Sequence, residues 1–231
     1  GKIWTGTFTP SINLESLSNV LTLAATYTDI AGNSGPSATS DPYAIDTTPP
    51  TVVSFTISDN SLTVGETATV TLTFSEPVTD FSSAADITAQ NGTLTGMTSL
   101  DNGITWTGTF TPSISLESLS NVLTLSTNYT DLAGNSGPSA TSPNYAIDTI
   151  PPTVVSFTIS DISLTVGETA TVTLTFSESV TGFSSAADIN AVNGTLSVME
   201  SSEAGKIWTG TFTPSISLQS TTNVLTLAAA Y

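Results

Sequence analysis

The chain repeats itself at a fixed period, and that period limits the folds open to it more than any other feature. Trp4, Trp106 and Trp208 stand 102 residues apart, and the same spacing relates Tyr27 to Tyr129 and Tyr231, Pro49-Pro50 to Pro151-Pro152, and Asp46 to Asp148. No insertion or deletion interrupts it. So strict a period is the mark of a tandem array in which each unit is one structural module. Gly1 to Gly6 recurs unchanged as Gly205 to Gly210, so the sequence runs out of phase with its modules. Residues 1–47 are read as the end of one repeat, 48–149 as a complete repeat, and 150–231 as the beginning of the next. The boundaries fall at Asp46-Thr47-Thr48-Pro49-Pro50 and its copy Asp148-Thr149-Ile150-Pro151-Pro152, because paired prolines form a stiff spacer and cannot continue a sheet ladder.

Inside the complete repeat the hydrophobic pattern has the two-residue period of half-buried strands. Ala68, Val70, Leu72 and Phe74 alternate with Thr67, Thr69, Thr71 and Thr73, and the segment from Ile104 to Phe110 alternates in the same way. Turn chemistry lies between the runs, at Val64-Gly65-Glu66, Glu76-Pro77, Asn91-Gly92, Asn102-Gly103 and Gly134-Asn135. Strands are expected near 51–58, 67–75, 86–90, 93–98, 104–111, 121–129 and 143–148, with no helical period between them. Seven strands in about a hundred residues predict an all-β fold of tandem immunoglobulin-like antiparallel β-sandwiches. Residues 1–47 carry only closing strands and are not expected to be stable alone, and 150–231 lack the last strand. Either the sequence is a window on a longer chain or another copy completes the open sandwich by strand addition.

Composition excludes whole classes of function. The 231 residues carry 2 basic and 19 acidic groups, a net charge of −17, which repels nucleic acid and anionic lipid and attracts cations. Histidine, cysteine and arginine are absent, and the two lysines are Lys2 and Lys206. A serine nucleophile would have no base, so the chain is not expected to be an enzyme. No apolar run approaches the roughly 20 residues of a membrane-spanning helix, so direct membrane insertion is not expected either. The Thr-x-Thr-x-Thr runs are ordinary solvent faces of strands, since a twisted sandwich does not offer a flat hydroxyl grid.

The acidic residues carry the most specific signal, because their places recur. Asp29 matches Asp131, Asp46 matches Asp148, Asp59 matches Asp161, Glu66 matches Glu168, Glu76 matches Glu178, and Asp86 matches Asp188. Each one alone is better explained as a soluble loop end. If seven strands alternate in direction, however, Glu76, Asp80, Asp86, Asp101, Asp131 and Asn135 share the pole at which the linker acid Asp46 enters. A hard cation needs six to eight oxygen ligands, and such a pole can supply them. The expected ligands are Asp46, Glu76, Asp86, Asp131 and Asn135 at one junction, and Asp148, Glu178 and Asp188 at the next, with Ca2+ as the cation.

The set formed by Thr69 to Val78 (TVTLTFSEPV), Asn91-Gly92-Thr93-Leu94, Trp106 to Pro112 (WTGTFTP), Tyr129 to Asn135 (YTDLAGN) and Ala146-Ile147-Asp148-Thr149 resembles the bacterial Ig-like repeats of giant repetitive adhesins, including the RTX type. The resemblance implies an extracellular protein displayed on the bacterial cell surface, built of extender repeats that hold a binding tip away from the envelope, with calcium at domain junctions. Its partners would be the neighbouring repeats of the same chain. By position, Asp46 and Asp148 match the family's linker acid, and Asp131 lies in its Asp-x-Ala-Gly-Asn loop. Departures are Pro50 and Pro152, which extend the usual single proline, Ser179 in place of Pro77, and Gln219 in place of Glu117. Two other functions compete with the spacer: a subunit of a self-assembling extracellular fibre or surface layer, and a glycan- or protein-binding module. A binding module would be expected to expose aromatic residues, whereas the tryptophans lie in phase with inward-facing positions.

Overall fold

A computed structural model describes residues 2–228, and Gly1 and Tyr231 lie outside them. The chain divides into two units, residues 1–150 and 151–231. The first unit holds the partial repeat, with β1 (Glu15–Asn19), β2 (Thr22–Leu23), β3 (Ala38–Thr39) and β4 (Tyr43–Asp46). The complete repeat follows, with β5 (Val52–Ile57), β6 (Ser61–Leu62), β7 (Ala68–Phe74), β8 (Val78–Thr79), a one-turn helix α1 (Ser83–Asp86), β9 (Ile87–Ala89), β10 (Gly92–Leu94), β11 (Thr98–Ser99) and β12 (Thr105–Pro112). It closes with β13 (Glu117–Asn121), β14 (Leu123–Leu125), β15 (Thr130–Asp131), β16 (Ala140–Thr141) and β17 (Tyr145–Asp148).

One layer of this sandwich is the sheet β10-β12-β7-β5, with β11 added beside β12. Its register sets Thr69, Thr71 and Thr73 opposite Thr109, Thr107 and Thr105, so the hydroxyl rows share one face and Val70, Leu72, Phe74 and Phe110 share the other. That second face is buried. The opposing layer is made of the short sheets β16-β14-β9, β13-β17-β6 and β15-β8. Leu123, Leu125, Tyr129, Tyr145 and Ile147 point from it into the same core. Aromatic contacts cross the gap: Phe110 meets Tyr145 edge to face at 5.1 Å between centroids, and Phe74 meets Tyr129 at 4.8 Å. The Tyr129 hydroxyl donates to the Pro138 carbonyl at 2.8 Å, and the ring lies where a Cβ on Gly137 would fall, so only glycine fits there.

The sequence pattern and the structure differ in several places. Of the expected strand 121–129 only Leu123–Leu125 forms a strand of its own, β14, and the chain before it forms β13, Glu117–Asn121, which the pattern does not mark. Within β13 the register shifts between Ser118 and Asn121, where the Asn121 side chain bonds the carbonyls of Ser118 and Tyr145. The segment expected as strand 93–98 divides, into β10 and β11. A helix appears where none is expected: Ser83–Asp86 makes a single turn held by the Asp86 carboxylate accepting from the Ser82 N–H at 2.8 Å. The short strands β6, β8, β15 and β16 carry too few residues for alternation to show.

The second unit contains β18 (Val154–Ile159), β19 (Ala170–Phe176), α2 (Ser185–Asp188), β20 (Ile189–Ala191), β21 (Gly194–Leu196), β22 (Glu200–Ser202), a 3-10 turn (Glu203–Gly205), β23 (Ile207–Pro214) and β24 (Leu225–Leu227). It rebuilds the larger sheet in the order β18-β19-β23-β21, with β22 beside β23. The segment Trp-Thr-Gly-Thr-Phe-Thr-Pro is a strand in β12 and β23, where neighbours pair with it. At Trp4 to Pro10 the same sequence is unpaired and forms none, and Trp4 is 89% exposed. A strand exists only where another supplies its hydrogen bonds.

Candidate metal centre

The linker leaves β4 at Asp46 and is fixed on that side by Thr47. The Thr47 hydroxyl donates to the Ser11 carbonyl at 2.7 Å and accepts from the Leu14 N–H at 3.0 Å, while its backbone N–H donates to the Leu14 carbonyl at 2.9 Å. Thr149 repeats the arrangement one period on, with Ser113 and Leu116 as partners. The Asp46 carboxylate turns forward and accepts from the Thr48 N–H at 3.1 Å. Pro50 is buried, and Thr51 exchanges hydrogen bonds with Ser75 at the end of β7, which brings Glu76 to the linker.

The loop after β15 completes the group. Asp131 is 1% exposed and held by three donors from its own loop: the N–H groups of Ala133 and Asn135 on Oδ1 at 2.8 and 2.9 Å, and Asn135 Nδ2 on Oδ2 at 2.7 Å. The pairing of β15 with β8, through Asp131 and Val78, places this loop beside Glu76. One carboxylate oxygen from each of Asp46, Glu76 and Asp131 lies within 4.8 Å of the other two. Three carboxylates at that separation suit a hard cation, which takes oxygen ligands and offsets their mutual repulsion. The repulsion shows on Glu76: burial, and then the negative charges of Asp131, Asp46 and Glu15, hold its carboxyl above the usual value of 4.5.

The structure brings together Asp46, Glu76, Asp131 and Asn135 among the residues the sequence singles out. Asn135 stands among them as a donor: its Nδ2 faces Asp131 Oδ2 and the carbonyls of Asp46 and Thr48, at 3.3 and 3.5 Å, so only its Oδ1 is left for a cation. Asp86 is not in the converging group. It is 3% exposed, and its carboxylate serves the Ser82 N–H and the Ser126 hydroxyl, an internal tie for α1. Asp188 makes the same bond to the Ser184 N–H at 2.7 Å. Asp101 accepts from the Thr105 N–H and the Ser99 hydroxyl, which together lower its pKa. Asp148 is exposed and accepts from the Ile150 N–H, and Glu178 is half-buried beyond β19 in the second unit.

Glu15 stands beside the site, outside the three converging carboxylates, and adds its charge to those acting on Glu76. It lies directly across from Asp46 in the antiparallel pairing of β1 with β4, and Glu117 lies across from Asp148 in the same way. That facing is set by the cross-strand register, which residue spacing alone does not give.

A family model described as bacterial Ig-like domain matches residues 1–45, 46–147 and 148–231 in succession. Among solved structures, the Yersinia pseudotuberculosis adhesin InvE aligns over 70% of this chain with 16% identity and a TM-score of 0.32. The alignment spans 51% of that adhesin's chain, about half its length. No curated protein matches.

Proposed function

Because the chain belongs to the bacterial Ig-like domain family along its whole length, we propose that it is an extender of a bacterial surface adhesin, stiffened by calcium at its domain junctions. Family membership makes it a structural and adhesion-type module. The convergence of Asp46 from the linker with Glu76 and Asp131 from the following sandwich carries the finer reading. A calcium ion shared by the three would tie the linker to the pole of the next domain, replace repulsion by common coordination, and favour one angle over many. Near-identical repeats with no insertion suit a part whose duty is length, and an extender of this kind works outside the cell. The half-buried Trp106 also favours an extender over a binding module, since its indole N–H donates to the Gly103 carbonyl and its ring packs edge-on against Phe81.

The test is calcium titration followed by small-angle scattering of the natural array in calcium and in chelator. Calcium should raise both maximum dimension and melting temperature, through mass action on the folded state. Asp131→Ala should remove most of both effects. An array unchanged in length and melting temperature by calcium would sink the reading.

A further inference from the structure

The junction contains a second tie that requires no ion. The Asn135 carboxamide has two N–H groups. One points to Asp131 Oδ2 at 2.7 Å, and the other faces the carbonyls of Asp46 and Thr48, which lie on either side of Thr47 in the linker. The orientation is forced. Turned over, the amide would set its oxygen against a carboxylate and two carbonyls, four acceptors with no proton among them. The orientation also precedes the linker: in the partial repeat Asn33 makes the same bonds to Asp29, at 2.8 Å from both Nδ2 and the backbone N–H, and there Asn33 is exposed. Asn135 is half-buried because the linker lies over it.

We propose that Asn135 is a latch that positions the linker before any cation arrives, with Thr47 as its counterpart on the upstream side. The loop Asp131-Leu132-Ala133-Gly134-Asn135 then has two duties. Asp131 supplies a carboxylate to the site of the proposed function and aims the Asn135 amide at the linker backbone. Backbone carbonyls accept the latch, so it tolerates side-chain change at Thr48, which is Ile150 one period on. The upstream side is held by the Thr47 hydroxyl to Ser11 and Leu14, leaving the linker bracketed by side chains of both repeats. The junction is thereby ordered first and cross-linked second, and a cation entering it meets carboxylates already in place. This inference rests on the extender reading for its purpose, but its test is separate.

The experiment is amide relaxation of the 231-residue chain by nuclear magnetic resonance in chelator, read at Thr47 and Thr48, with Asn135→Ala and Asn135→Asp as variants. The wild type should show both amides as rigid as those of β7, and a cross-peak from the Asn135 side-chain amide to Thr48. Both variants should lose that rigidity at Thr48, while Thr47, held by Leu14, and the amides of Val70, Leu72 and Leu123 stay protected. The aspartate variant has the size of the original but no donor, so it remains decisive if the alanine variant fails to fold. Linker amides that are mobile in the wild type until calcium is added overturn the latch and leave the cation reading standing. A Thr48 amide equally rigid in wild type and variants overturns it too. Linker and array properties that ignore calcium, with rigidity lost only in the variants, sink the cation reading and leave the latch.

Discussion

Glu15 and Asp46 face each other directly across the antiparallel pair β1 and β4, and the same register sets Glu117 against Asp148. Like charges opposite one another in a sheet are destabilising. Replacing Glu117 by Gln should therefore stabilise the chain in chelator, by a few tenths of a kcal/mol. Gln219 already stands at this position one period on. The check is urea denaturation, in which the midpoint should rise with an unchanged slope. A lower midpoint would mean that Glu117 makes a favourable contact stronger than the repulsion.

Glu76 should make the junction pH-sensitive when no cation is present. Its folded pKa lies above the ordinary 4.5 through burial first and then through Asp131, Asp46 and Glu15. The folded state therefore holds the proton at a pH where the unfolded state has released it, and stability falls as pH rises through the window just above 4.5. Acidification from neutral pH toward that window should raise the melting temperature in chelator. Glu76→Gln should remove this part of the pH dependence, and a variant with the wild-type profile would contradict the assignment.

Two phenols should give the opposite end of the pH scale a clear signature. Burial pushes Tyr129 and Tyr145 up from 10.0 to about 12. Because the folded state keeps these protons longer than the unfolded state, stability is retained below pH 10.0 and declines as pH rises from there toward about 12. The phenolate absorbance belonging to these two rings, read as the difference from a variant with both replaced by Phe, should appear together with loss of the sandwich rather than before it. Tyr129→Phe removes the bond to Pro138 and should cost about 1 kcal/mol at neutral pH.

Phe81 fills the angle between Phe74, Trp106 and Tyr129, with ring centroids 5.9, 4.9 and 6.5 Å away. Phe81→Ala should destabilise the complete repeat by about 3 kcal/mol and shift tryptophan emission to the red as water reaches Trp106. Trp4 is exposed and Trp208 keeps its own Phe183, so the change in emission isolates the middle repeat.

What could be read from the sequence follows from how each element is specified. Alternation marks β7 and β12 because one face of each is buried against a full opposing layer. It does not mark β13, whose Glu-Ser-Leu-Ser-Asn run is mostly exposed along an edge and is placed by Asn121 bonds to carbonyls. Four residues are too few for a helical period, so α1 becomes visible only through the return of Asp86 to Ser82. At the junction, repetition and a count of strand directions bring Asp46, Glu76 and Asp131 to one pole. The same count draws in Asp86, because it gives the position of a residue and not the direction of its carboxylate. Glu15 depends on cross-strand register, and the donor role of Asn135 depends on which way Asp131 turns an amide. Neither is written in spacing.

The last strand of the complete repeat, β17, pairs with β6 in parallel, through Ala146 with Ser61 and Ile147 with Leu62, and the Ala146 N–H reaches back to the Asn60 carbonyl at 2.8 Å. The chain enters the domain ahead of β6 and leaves it after β17. A pull on the two exits therefore drags parallel strands in opposite directions along their length. Every hydrogen bond between them is strained at the same moment, and none can be peeled away first. Under tension such a fastening holds until all of its bonds slide together, so a load along the chain is met in shear rather than bond by bond.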